Sequence, residues 1–133
     1  MAFAQSCVVV WAEPGNGLEY LRLKLRDLGL EVRSVISFDD VRAVILDGNV
    51  DLIVSWLGGS FVKPLELLTW LRSRPAAPPV LIVTAWSDTD LYLEAMRRGA
   101  FDCVGLPLDP HELTRIVARA LESRCARSAA RGE

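Results

Sequence analysis

"DLIVSWLGGSFVKPLELLTWLRSRPAAPPVLIVTA", residues 51–85, holds one complete structural unit. It opens with "DLIVSW" (51–56) and closes with "PVLIVTA" (79–85), two short apolar runs rich in β-branched residues. Runs of that length without polar alternation fit strands buried on both faces of a parallel sheet. Between them Pro64 stands at a first helical position ahead of "LELLTWLR", and "PAAPP" marks the loop that follows. A strand, a helix and a second strand joined by short loops require parallel pairing with a right-handed crossover.

The same unit recurs on either side. "CVVVWA" (7–12), "VRSVIS" (32–37) and "FDCVGL" (101–106) complete a set of five apolar runs. Leu18, Leu21, Leu25 and Leu28 follow the first at helical spacing, with Gly29 as the stop. Ser37 and Asp40 form a capping pattern before "VRAVILDG". Ser87 and Asp90 repeat it before "LYLEAMRRG", where Gly99 is again a stop. Asp109, Pro110 and Glu112 start a last helix whose apolar face is Leu113, Ile116, Val117, Ala120 and Leu121. Five β-α units predict an α/β fold, a three-layer doubly wound sandwich, over residues 1–123. The polar stretch 124–133 reads as a disordered tail, a helix extension or the start of a linker.

A chain of 133 residues with 51% hydrophobic content can build one core. Its formal net charge of −2 gives no field that would draw it onto nucleic acid, and no basic stripe is interleaved with aromatic residues. Direct nucleic-acid binding by this domain is therefore not expected. Cys7, Cys103 and Cys125 lie far apart with no C-x-x-C spacing, so neither a zinc site nor a redox pair is indicated. The odd cysteine count, the absence of a secretion signal in "MAFAQSCVVVW" and the lack of any apolar stretch near the roughly 20 residues of a membrane span predict a cytoplasmic protein without membrane attachment.

"EAMRRGAFDCVGLPLDPHEL", residues 94–113, resembles the segment of response-regulator receiver domains that runs from the fourth helix to the start of the fifth. Its "GAFD" turn and "LPLDPHEL" joint are specific in combination, and "VTA" at 83–85 and the phasing of "DLIVSW" before "PLELLTWLR" support them. The pattern is closest to receivers of nitrogen-regulatory-type transcriptional activators. The resemblance covers residues 5–123 and implies a flavodoxin-like (βα)5 fold with five parallel strands in the order 2-1-3-4-5.

It also implies a site at the carboxyl edge of the sheet. Receivers transfer a phosphoryl group to an Asp that ends the third strand. An acidic pair ending the first strand holds Mg²⁺, and a hydroxyl and a lysine end the fourth and fifth; metal and ammonium offset the charge of the incoming phosphate. Laid onto this sequence, the nucleophile position is Trp56, the acidic pair is Trp11 and Ala12, and the lysine is Leu106, followed by the retained joint Pro107. Thr84 keeps the hydroxyl, and Cys103 holds the aromatic switch position. Every charged member is absent, so no cofactor or metal is expected and Trp56 reads as an apolar plug. Losing the charges together avoids leaving an unpaired buried ion, which costs several kcal/mol.

The remaining candidates are weaker. Asp51 begins its strand and Asp47 ends a helix, both away from the site, and Glu13 alone is a poor Mg²⁺ ligand set. Gly15-x-Gly17 fails the dinucleotide fingerprint because Tyr20 stands where the third glycine belongs. His111, the single histidine, reads as a surface residue, and Cys103 as filler in a buried strand. No catalytic constellation appears, so the expected function is a non-enzymatic pseudo-receiver: a regulatory module independent of phosphorylation, acting through a protein partner or a homodimer. The resemblance offers a contact face on the fourth helix, fifth strand and fifth helix, with Arg97, Arg98, Asp102, Arg115 and Arg119. The alternative is a small-molecule sensor whose cleft is lined by Trp11, Trp56 and Trp86. For the pseudo-receiver, output is expected from a transcriptional regulator of which this is the N-terminal part.

Overall fold

Strand and helix alternate along the chain as the apolar periodicity requires. A computed structural model describes residues 6–12, 18–56, 62–84, 89–105 and 109–130. Five strands, β1 (Cys7–Ala12), β2 (Glu31–Val35), β3 (Leu52–Trp56), β4 (Val80–Thr84) and β5 (Asp102–Gly105), form one sheet in the order β2-β1-β3-β4-β5. All four pairings are parallel. The helices between and after them are α1 (Leu18–Asp27), α2 (Phe38–Asp47), α3 (Val62–Leu71), α4 (Thr89–Arg97) and α5 (Pro110–Ala130).

Two apolar layers follow from the period of 2 along each strand. Val8, Val10, Leu52, Val54, Leu81 and Val83 pack against α1 and α5 through Leu21, Leu25, Leu113 and Val117. Val9, Ile53 and Ile82 pack the other way, against Val41 and Ile45 of α2, Leu67 and Leu68 of α3, and Ala95 of α4. Strands β1, β3 and β4 are buried at every residue, which is why their sequences carry no polar alternation. The edge strands are wetter. β5 is half-buried up to its exposed Gly105, so Cys103 sits in an edge strand and not in a buried one.

The helix boundaries have local causes. Ser37 Oγ accepts from the Asp40 backbone N–H at 3.0 Å and starts α2. Asp109 does the same for α5, its carboxylate accepting from the His111 N–H at 2.8 Å, with Pro110 as the first helical residue. Gly29 (φ 88°) and Gly99 (φ 101°) end α1 and α4 in the left-handed region that side chains disfavour. Pro64 is displaced from its expected place: α3 begins at Val62, which makes Pro64 the third helical residue. No N–H of a first turn has an intrahelical acceptor, so proline costs no hydrogen bond at either position. Helix α5 continues through residues 124–130 to Ala130.

Candidate functional site

In an open α/β sheet the carboxyl ends of the strands form the ligand-binding edge. Here those ends are Trp11 and Ala12 of β1, Trp56 of β3 and Thr84 of β4. Ala12 lies in register with Trp56, and Trp56 with Val83. In-register residues of a parallel sheet share a face, and Ala12, Trp56 and Val83 all belong to the layer beneath α1 and α5. Trp56 is 8% exposed. The small side chain of Ala12 beside it leaves the width that an indole needs.

Trp11 goes to the opposite face. Its register partner is Ser55, and its ring belongs to the layer beneath α2, α3 and α4. It is fully buried, its Nε1–H donates to the Ile36 carbonyl at 3.0 Å, and its ring meets Phe38 edge-to-face with centroids 5.4 Å apart. The expected grouping of Trp11 with Trp56 is therefore corrected: the sheet itself separates the two indoles, so Trp11 does not line one cleft with Trp56. The reason is parity, since a one-residue offset between partners reverses the face. Trp86, Leu106 and the joint Pro107 lie outside the described residues, as do Glu13 and the Gly15-x-Gly17 turn.

Thr84 is buried at the end of β4, and the Ser55 hydroxyl is buried without a hydrogen-bond partner among the described residues. An unpaired buried hydroxyl costs about 1–3 kcal/mol. Ser55 carried no sequence signal of its own, because it reads as one more residue of an apolar run. Asp51 is accounted for structurally: its Oδ2 accepts from the Cys7 N–H at 2.9 Å, at the amino edge of the sheet and far from Trp56 along β3.

Residues 16–118 match the family described as "Response regulator receiver domain". The chain belongs to this family. Among its relatives, the response regulator protein PilR of Pseudomonas aeruginosa is 28% identical over 120 residues, covering 90% of this chain and 27% of that protein. The DNA-binding transcriptional regulator NtrC of Salmonella typhimurium is 31% identical over 101 residues, covering 76% of this chain and 22% of that protein. The chain thus spans about a quarter of the length of these curated relatives. Among solved structures, NtrX from Brucella abortus superposes with a TM-score of 0.80 at 24% identity, over 98% of this chain and 29% of that one. A CheY-like receiver domain protein from Methanospirillum hungatei gives 0.77 at 17% identity, over 91% and 97%. Both likenesses are of fold.

Neither the indole of Trp56 nor the methyl of Ala12 supplies a nucleophile for a phosphoryl group or an oxygen for a divalent cation. The thiol of Cys103 is no substitute: burial, and then the Asp102 carboxylate, push it up from its usual range, so it stays protonated at neutral pH. Burial does the same to Cys7. His111 is exposed, in the first turn of α5.

The expected contact face is only partly assembled. Arg97 projects into solvent and pairs with Glu94 at 3.5 Å, Arg115 is exposed, and the Arg119 guanidinium lies 5.9 Å from the Phe101 ring centroid. The Asp102 carboxylate folds back to accept from the Cys103 N–H at 2.8 Å. Arg98 does not join them. It reaches Glu94 at 2.8 Å and Thr69 of α3 at 3.2 Å, which turns it away from α5. Among the described residues no helix is long and apolar enough to cross a membrane.

Proposed function

We propose that this receiver domain signals without phosphorylation, as a constitutive module that acts through protein contacts. The observation that carries the reading is the pairing of Ala12 with Trp56 at the carboxyl edge of the sheet. Phosphoryl transfer to a receiver needs a carboxylate there to form the acyl phosphate and oxygen ligands beside it to hold the metal. An indole packed against a methyl provides neither, and it fills with apolar volume the space that the reaction would use.

The contact face of the proposed module lies on α4, β5 and α5 and uses Arg97, Asp102, Arg115 and Arg119, without Arg98. Its partner is a second copy or another protein. The names of its relatives support a further part of the reading, in which the domain is the N-terminal regulatory part of a transcriptional regulator. A catalytic role is not proposed.

Incubation with Mg²⁺ and a small acyl phosphate, followed by intact-mass spectrometry, tests the central claim. The mass should stay that of the unmodified chain. A stoichiometric phosphoryl adduct would overturn the proposal. Light scattering across a hundredfold concentration range then separates self-association from a separate partner, and Arg97→Glu with Arg115→Glu should weaken any dimer built on the α4, β5 and α5 face.

A further inference from the structure

The amino edge of the sheet, opposite Trp56, carries a cavity of about 440 Å³ between the connections that follow α3 and α4. That volume falls within the range of small-molecule sites. Arg72, Arg74 and Arg98 line it, and no Asp or Glu does. Their guanidinium groups are not in equivalent states. Arg98 is fixed, donating to Glu94 at 2.8 Å and to Thr69 at 3.2 Å, and so ties α4 to α3. Arg74 lies over the Trp70 ring, 4.9 Å from its centroid, which orients its planar fork. Arg72 is exposed. Among the described residues, Arg22, Arg33, Arg42, Arg97 and Arg98 are in ion pairs, whereas Arg72 and Arg74 are in none.

The backbone around the cavity is constrained at several positions. Pro78 and Pro79 are buried in its wall, and Ala76 in the same loop holds a φ of 55°, a left-handed conformation that a non-glycine residue keeps only where its surroundings impose it. Arg74 also lines a second cavity of about 220 Å³ on the far side of this loop, so the residue stands at the border between two voids. The carboxyl ends of α3 and α4 and the Glu94 carboxylate offset part of the positive charge. With Arg98 paired to Glu94, Arg72 and Arg74 are the lining cations that no ion pair among the described residues offsets.

We infer that this cavity binds a small ligand carrying two or more oxyanion groups, a phosphorylated compound or a di- or tricarboxylate. Arg72 and Arg74 supply paired N–H donors, which match the oxygens of either group, and Arg98 supplies a fixed third cation. The site lies at the opposite edge of the sheet from Trp56. It would let the domain respond to a metabolite with no change at Trp56.

The test is calorimetric titration of the 133-residue chain with pyrophosphate and, separately, with citrate, at ionic strength held constant with sodium chloride. Saturable one-to-one binding tighter than about 1 mM is expected for at least one probe. Binding of pyrophosphate alone assigns the phosphorylated class, binding of citrate alone the carboxylate class, and binding of both the shared oxyanion chemistry. The variant Arg72→Ala with Arg74→Ala should weaken binding about tenfold or more, while its circular dichroism and unfolding midpoint without ligand stay those of the parent. Arg26→Ala with Lys63→Ala, an equal loss of charge at exposed positions elsewhere, should leave affinity unchanged. The absence of saturable binding by either probe up to about 10 mM, or the same affinity in the Arg72 and Arg74 variant, would overturn the inference.

Discussion

Restoring a carboxylate at the end of β3 should damage the protein without restoring phosphorylation. In Trp56→Asp the lost group is an indole that is 8% exposed and packed within the layer that contains Ala12, Val54 and Val83. Truncating a buried tryptophan costs about 3–5 kcal/mol, from lost transfer energy and the cavity left behind. Among the described residues of that layer the incoming carboxylate meets apolar side chains. It must take up a proton or turn toward the strand end, and an ionised group held inside would cost several kcal/mol more. Against a typical total of about 5–15 kcal/mol, the variant sits close to its folding limit. For a domain of this size, at about 4 °C per kcal/mol, the midpoint should fall by roughly 12–20 °C. Urea and thermal unfolding followed by circular dichroism read the stability, and intact mass after incubation with Mg²⁺ and an acyl phosphate reads the chemistry. A stability loss under about 1 kcal/mol, well below the range for a buried tryptophan, would show that Trp56 does not fill the pocket. Stable phosphorylation of this single variant would show that the site needs neither the acidic pair nor the lysine.

Two further outcomes follow from individual bonds. Trp11→Phe removes the Nε1 donor to the Ile36 carbonyl and part of the ring against Phe38, and should cost about 1–3 kcal/mol in urea unfolding; a change below about 0.5 kcal/mol, the smallest net value of such a bond, would mean that the contact contributes nothing. At Glu94 the Arg98 hydrogen bond holds the carboxyl below its usual range, so the folded state binds its proton more weakly than the unfolded chain. The stabilisation is therefore complete above the ordinary glutamate pKa and is lost as pH falls through the depressed folded value. Glu94→Gln should flatten the acid limb of the stability curve in that window; an acid limb identical to that of the parent would contradict the assignment.

Much of the fold was legible because its signals are local. The Ser37 to Asp40 hydrogen bond, the Asp109 cap and the left-handed Gly29 and Gly99 each depend on a few neighbouring residues, and each stands where the pattern put it. Pro64 misled by two positions because the rule behind it covers the whole first turn and does not single out one residue. The edge position of β5 followed from the strand order 2-1-3-4-5 that the resemblance implied, and not from "FDCVGL" itself, because edge position is set by which strands pair, a relation between distant parts of the chain.

The strand ends were legible as a set, and their division between faces was not. Because every residue of "CVVVWA" is buried, no polar alternation marks which of Trp11 and Ala12 looks toward α1 and which toward α2. Only the pairing of Ala12 with Trp56 and of Trp11 with Ser55 decides it. The partner of Trp11 was equally hidden, since the Ile36 acceptor is a backbone carbonyl, which every residue has. The division has a physical consequence for the proposed module. Trp56 anchors the end of β3 to the α1 and α5 layer, while Trp11 anchors the end of β1 to the start of α2. Two large side chains on opposite faces of adjacent strands hold the carboxyl edge by independent contacts, so loosening one layer leaves the other anchor intact. An edge held from both sides, with no charged side chain among the described strand ends Trp11, Ala12, Trp56 and Thr84, favours a single arrangement of the sheet, which is the property the proposed constitutive receiver requires.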